Sequence, residues 1–400
     1  MPRFLLFAGV DRRTAWLRGC LLSACLLSLI ASAPLWLNAR VFPLLPLTPG
    51  FPILTSPWDK LFFSAMLVLL VLAGRFYRPA VTIFLICGLF AFCEDQNRGQ
   101  PWFYMYFVML GLTLLPTSVS LAACRAAISI AYIWSGIQKF NPKFFQIVPA
   151  WFVAPAAHWP LPAVAADLLR AAVAAAPFVE LTIGLALWMP RFRLAAIGMA
   201  VIVHLTALLF LGPLGYNFDV VIWPWNLAML ALLVILFPTR AGGNHQGPEL
   251  RQTFTELCRS KRAVAIVALY AFLPTLSFCG WWDSYFSFTL FAENQAKADI
   301  FVSQAFRDRL PPKLKAHVVA LGQGYDPRIQ LPYAFDFQGW ALEQLHAPSI
   351  FEPRGYRSIF AFLRKWSSAP DDLHMIIVPR TGPPVFYQDD KNWSLLPIKR

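Results

Sequence analysis

Acidic residues are scarce in the first 282 positions of this 400-residue chain. Only Asp11, Asp59, Glu94, Asp95, Asp167, Glu180, Asp219, Glu249 and Glu256 occur there, while the other twelve lie in residues 283–400. Charged residues make up 14% of the chain, against about a quarter in an average soluble domain. The first part therefore has the composition of a membrane protein and the last part that of a soluble domain.

Several kinds of chemistry lack their residues. The seven cysteines all precede residue 283, and none stands in a CxxC or a metal-ligand spacing. There is no HExxH zinc pair and no Walker A sequence. Gly322-Gln323-Gly324 is too short for a dinucleotide fingerprint. His204 is the only histidine inside an apolar run, so paired axial ligands for a b-type haem are missing. No metal or haem site is expected. The net charge of +13 sits mainly between the apolar runs of the first part. That placement favours an anionic membrane face over nucleic acid as the basic partner.

Long apolar runs are plentiful. They recur at 17–37, 58–74, 79–93, 101–115, 119–140, 165–189, 194–212, 219–238 and 262–282. A bilayer crossing takes about 20 apolar residues, and helix is the default because lipid offers the backbone no hydrogen bonds. The expectation is an all-α polytopic bundle of about nine transmembrane helices over residues 1–282. A small α+β extracytoplasmic domain is expected over 283–400. In that last part, 297–310, 338–346 and 357–367 read as helices and Met375–Val378 as a strand. Ala31-Ser32-Ala33 resembles a signal-peptidase site, but Pro34 follows directly, so an uncleaved first helix is expected.

Basic residues set the direction. With the N-terminus cytoplasmic, the inner side receives Arg3, Arg12, Arg13, Arg18, Arg75, Arg78, Arg125, Arg191, Arg193, Arg240, Arg251, Arg259, Lys261 and Arg262. The outer side receives only Arg40, Lys60, Arg98, Lys139, Lys143 and Arg170. This asymmetry follows the positive-inside rule. It implies a multi-pass protein of the plasma (inner) membrane, in contact with membrane lipid, whose C-terminal domain is extracytoplasmic. Cys93 and Cys279 fall near outer helix ends, and spacing alone does not decide whether they pair.

Ionisable residues inside apolar runs are costly and are functional candidates by default. Glu180 and His204 lie mid-run, and Lys139 lies near the outer end of the fifth run. Glu94, Asp95 and Arg98 fill one outer loop. Asn217, Asp219 and Asn226 flank the outer start of the eighth run. One outward-opening polar pocket gathering these groups is expected. Plainer roles compete: Lys139 snorkelling to headgroups, His204 bonding a neighbouring helix, Glu180 in a structural pair, 94–98 as a loop ion pair, and Asp167 with Arg170 as interfacial anchors.

The stretch Tyr132-Ile133-Trp134-Ser135-Gly136-Ile137-Gln138-Lys139-Phe140-Asn141 is followed by a helix with an acid, then a helix with a histidine and Tyr216-Asn217-Phe218. This resembles the horizontally transferred transmembrane (HTTM) family, which includes the vitamin K-dependent γ-glutamyl carboxylases. The resemblance covers about 119–238. It implies a quinone or quinol as cofactor or substrate, with Lys139 as the base that deprotonates the reduced quinone. It places Glu180 and His204 as catalytic support, with Gln138 and Asn141 in the substrate pocket. A lysine serves as a base near neutral pH only where desolvation or a neighbouring cation lowers its pKa. The C-terminal part is much smaller than that of the carboxylases and has no evident propeptide-gripping region, so glutamate carboxylation is not carried over. Two other classes stay open. One is a non-catalytic scaffold or accessory subunit docking a protein partner through the extracytoplasmic domain. The other is a transporter, for which no inverted repeat is visible.

Overall fold

The computed structural model describes residues 11–160, 162–217, 219–238, 250–321, 331–388 and 395–396. Arg3, Phe218, Arg240, Glu249 and the 322–324 stretch lie outside them. Thirteen helices come first: α1 (Arg12–Ala31), α2 (Ala33–Trp36), α3 (Trp58–Leu72), α4 (Tyr77–Glu94), α5 (Pro101–Leu112), α6 (Thr117–Gln138), α7 (Pro142–Val153), α8 (Ala163–Ala174), α9 (Ala176–Ala186), α10 (Arg193–Leu211), α11 (Ile222–Leu236), α12 (Leu250–Cys258) and α13 (Lys261–Leu276). Every apolar run is helical. Five of these segments are long and apolar enough to cross a membrane: α1, α4, α6, α10 and Lys261–Cys279. A sixth arises if α8 and α9, bent by 49° at their junction, form one broken span. Pro177, in the first turn of α9, removes a backbone donor at that bend.

Helix α6 is the spine of the bundle, and its small residues explain why. A Cβ on Gly136 would stand 2.7 Å from the Pro177 carbonyl oxygen and 2.8 Å from the Leu181 nitrogen. A Cβ on Gly184 would stand 2.6 Å from Ile133 Cγ1 and 2.9 Å from the Ser129 oxygen. The two glycines, one on each helix, let the backbones of α6 and α9 touch. This is how helices associate where apolar surroundings supply no hydrophobic drive. At the opposite end of α6, Arg125 Nε donates to the Leu236 carbonyl at 2.8 Å, satisfying an orphan carbonyl at the end of α11.

Two amphipathic helices, α7 and α12, lie between the apolar runs. Helix α7 buries Phe144 and Val148 and exposes Phe145 and Ile147. Its cap is Asn141, whose side chain accepts from the Phe144 N–H at 3.0 Å.

The last part adds β1 (Lys297–Val302), α14 (Gln304–Arg309), α15 (Pro312–Lys315), β2 (Val318–Ala320), β3 (Tyr333–Phe335), α16 (Phe337–Leu345), α17 (Pro353–Leu363), β4 (Leu373–Val378), β5 (Val385–Gln388) and β6 (Leu395–Leu396). The sheet order is β2-β3-β1-β4-β5-β6, and each pairing is antiparallel. The expected helix 297–310 is thus corrected. Its first six residues form the central strand, and only Gln304–Arg309 is helical. Pairing along β4 from Lys297↔Val378 to Val302↔Leu373 overrides the helix-like spacing. Ser303, between the two, caps α14 by accepting from the Phe306 N–H at 2.9 Å.

This part is fastened to the bundle by hydrogen bonds at several points. Gln344 accepts from the Phe42 N–H at 2.8 Å. Asn97 accepts from the Ser349 hydroxyl at 3.1 Å and the Ile350 N–H at 3.2 Å. Gln100 donates to the Pro348 carbonyl at 3.0 Å. Phe42 packs on Trp340 with ring centroids 4.5 Å apart. All seven cysteines, Cys93 and Cys279 included, are free.

Candidate functional site

The close approach of α6 and α9 creates a buried ion pair. Lys139 caps the C-terminus of α6, and its Nζ lies 2.7 Å from Glu180 Oε2 on α9. The ammonium also donates to Ser135 Oγ at 2.8 Å and to the Ser135 carbonyl at 3.1 Å. That carbonyl belongs to the last turn of α6, where helix geometry leaves oxygens unpaired and favours a cation. Lys139 is 6% exposed and Glu180 9%. The lysine therefore does not snorkel; it turns inward to a carboxylate.

Two turns back along the same face of α6 lies Tyr132. Its hydroxyl is 2.6 Å from His204 Nε2 on α10. His204 Nδ1 is 2.7 Å from Asn226 Oδ1 on α11, and Asn226 Nδ2 donates to the Ile222 carbonyl at 2.7 Å. The Asn226 amide can reach Ile222 only through its NH2, so its oxygen faces His204. A neutral imidazole then carries its proton on Nδ1 and accepts the tyrosine hydroxyl proton at Nε2. Glu180 interacts electrostatically with both Tyr132 and His204. Lys139, Glu180, Tyr132, His204 and Asn226, all buried, and half-buried Ser135 thus form one polar cluster drawn from four helices.

The other candidate residues go elsewhere. Glu94, Asp95 and Arg98 form a separate network at the end of α4. Arg98, 1% exposed, pairs with Glu94 and donates to the carbonyls of Leu35, Ala91 and Trp36, each at 3.2 Å, and to Asn38 Oδ1 at 2.6 Å. Asp95 pairs with Arg40 and accepts from the Asn97 N–H at 3.1 Å. These bonds tie the end of α2 and Asn38 to the end of α4. Among the described residues no hydrogen bond links this network to Lys139 or Glu180.

Gln138 and Asn141 face the C-terminal part. Gln138 Oε1 accepts from Arg380 Nη2 at 2.6 Å and Asn294 Nδ2 at 3.0 Å, and its Nε2 donates to Ser277 Oγ at 3.1 Å. Asn141 Nδ2 donates to the Ala292 carbonyl at 2.7 Å. Asn217 is exposed in the turn after α10, with φ of 47°. Asp219 accepts from the Val221 N–H at 2.9 Å in the turn before α11. Asp167 and Arg170 form an exposed pair at 3.4 Å. The single expected pocket therefore divides into the Lys139 cluster, the 94–98 staple and the α10–α11 turn.

Tyr132 and Ser135 were not singled out from sequence as site residues. The available signal was their spacing, seven and four residues before Lys139, which places all three on one helical face. No group of three or more His, Cys, Asp or Glu side chains among the described residues is arranged to hold a metal ion. Compared with known proteins, the chain matches no described family, no curated protein and no solved structure.

Proposed function

We propose that this chain is an HTTM-like integral membrane enzyme acting on a quinol or a comparable lipid-soluble hydroxyl compound, with Lys139 as the base. The observation that carries the reading is the buried Lys139–Glu180 pair beside the Tyr132–His204–Asn226 chain. A charge pair inside an apolar bundle is costly to retain, and an ionisable group there is a functional candidate by default. Desolvation penalises both members of the pair and favours its neutral form, so with substrate sealing the site Glu180 Oε2, 2.7 Å from the amine, takes the lysine proton and leaves a neutral amine. That amine removes the proton from the substrate hydroxyl and yields the oxyanion and an ammonium. Tyr132 and His204 supply a second donor–acceptor path at the same site.

The topology proposed with this function has nine crossings of the plasma (inner) membrane. The N-terminus is cytoplasmic and the sheet-bearing C-terminal part extracytoplasmic. Its support is that all nine apolar runs are helical and that 14 of the 20 Lys and Arg residues before position 283 fall on the side assigned inward.

The test is anaerobic binding of a short-chain naphthoquinol to the purified protein, followed by absorbance. Wild type is expected to give the quinolate band, and Lys139→Met to bind without it. Equal bands in both proteins, or no binding to wild type, would overturn the reading.

A further inference from the structure

A second site lies away from the Lys139 cluster. A cavity of about 600 Å³ opens between α7 and the sheet, within the range of about 300–1,000 Å³ typical of small-molecule sites. One wall is α7, through Ile147, Val148 and Trp151. The facing wall is β1 and β3, through Ala298, Ile300, Ala334 and Phe335. Neither Lys139 nor Glu180 lines it.

Two features define what it takes. The first is continuity with lipid. Ile147 lines the cavity and is also 43% exposed, and its neighbour Phe145 is 41% exposed on the same short amphipathic helix. On the membrane placement proposed above, a helix of this kind lies in the plane of the interface, and the cavity's apolar wall then runs on into the surface that meets acyl chains. The second is charge. In a chain of net charge +13, this cavity is lined by Glu293, Asp299 and Asp336 against a single cation, Lys297. Lys297 is already paired with Glu293. Asp336 is occupied as the cap of α16, accepting from the Gly339 N–H at 2.8 Å. Asp299, exposed on β1 and lining the cavity, has no ion-pair partner among the described residues, and Trp151, Phe291 and Phe335 line the same space. An ammonium meets a carboxylate and aromatic faces there, both favourable to a cation.

We propose that this cavity binds an amine-bearing amphiphile, with the chain against α7 and the ammonium at Asp299. The site is independent of the Lys139 chemistry. Its test uses the full chain in amphipol and compares equilibrium binding of dodecylamine and dodecanoate, matched in chain length and opposite in charge. Wild type is expected to bind the amine at least ten-fold more tightly. Asp299→Lys is expected to reverse that order, which a purely structural role for Asp299 would not do. Ala334→Trp is expected to fill the cavity and abolish both. If Ala334→Trp does not fold, the charge reversal carries the test alone. The dodecylamine measurement involves no quinol, so a failure of the quinol reading leaves this result untouched. Equal binding of the two probes, or an unchanged preference in Asp299→Lys, overturns the proposal. Enrichment of phosphatidylethanolamine over phosphatidylglycerol in the purified protein identifies the bilayer as the source. Tight dodecylamine binding without that enrichment identifies a free amine, and either source supports the site.

Discussion

Gly136 sits three residues before Lys139, and its missing side chain is what brings Glu180 within 2.7 Å of the lysine amine. The Pro177 carbonyl and the Leu181 nitrogen occupy the space a Cβ would need. Those two residues flank Glu180 on α9, so the backbone contact and the ion pair are one arrangement.

Adding a methyl group at this contact tests the coupling. Gly136→Ala forces a clash with backbone rather than with a flexible side chain, so α6 and α9 must separate. Overpacking of this kind costs about 1–3 kcal/mol, and a lower melting temperature is expected for both Gly136→Ala and Gly184→Ala. Gly198 on α10 is the control, since a Cβ there meets nothing within 4 Å. Gly198→Ala is expected to stabilise by about 0.5–1 kcal/mol. Equal effects at the three glycines would show that the α6–α9 contact is unimportant.

The ion pair makes a sharper prediction. Removing one member leaves a buried charge without its counterion, which costs about 3–5 kcal/mol. Lys139→Met and Glu180→Met are each expected to lower stability by that order. The double variant is expected to recover most of the loss, because two apolar groups replace two charges. A thermal-melting double-mutant cycle reads this directly. Additive losses would mean that the two side chains act separately. Recovery of stability without recovery of quinol deprotonation is expected if the pair is kept for chemistry.

Much of this arrangement was legible in the sequence because apolar length and helix period are local properties. All nine apolar runs became helices, and Glu180, His204 and Lys139 stood out as ionisable groups in or near them. What was not legible depended on tertiary contact. The approach of α6 to α9 rests on two glycines whose partners lie nearly fifty residues away. The 94–98 loop looked like a pocket wall, yet its charges are spent on Arg40, Asn38 and the carbonyls of Leu35 and Trp36. KADIFV read as helix because its central-strand role depends on β3 and β4, which come later in the chain. Amphipathic α7 and α12 are too short and mixed to register as crossings, and one of them walls the proposed second site.

Two native cysteines test the topology without mutation. Cys258, at the end of α12, and Cys279, just after α13, are both exposed. A single segment long and apolar enough to cross a membrane, Lys261–Cys279, separates them. The proposed orientation puts Cys279 outside and Cys258 inside. A membrane-impermeant maleimide added to intact cells is expected to label Cys279 at once and Cys258 only after permeabilisation. The reverse order would invert the topology, and simultaneous labelling would remove the crossing.

Acid sensitivity of the C-terminal part traces to Asp372. Burial by itself pushes its carboxyl upward, but hydrogen bonds from the Ser368 N–H at 2.8 Å, Ser303 Oγ at 2.7 Å and the Ala369 N–H at 2.8 Å, together with Arg309, outweigh that and hold it below its ordinary value. A carboxylate depressed in the folded state contributes stability that is fully present above its unfolded value, about 3.9. That contribution is lost as pH falls through the folded value. Asp372 joins the start of β4 to Ser303, just after β1, so the loss is felt at the centre of the sheet. Amide-exchange protection of β1 and β4 in the full chain is expected to be flat from neutral pH to about 5 and to fall below about 4. Asp372→Asn is expected to lose about 1–3 kcal/mol near neutral pH, the cost of a charged hydrogen-bond acceptor. The two proteins should converge in acid, where wild type also lacks the charge. A constant difference at every pH would assign the role of Asp372 to shape rather than to charge.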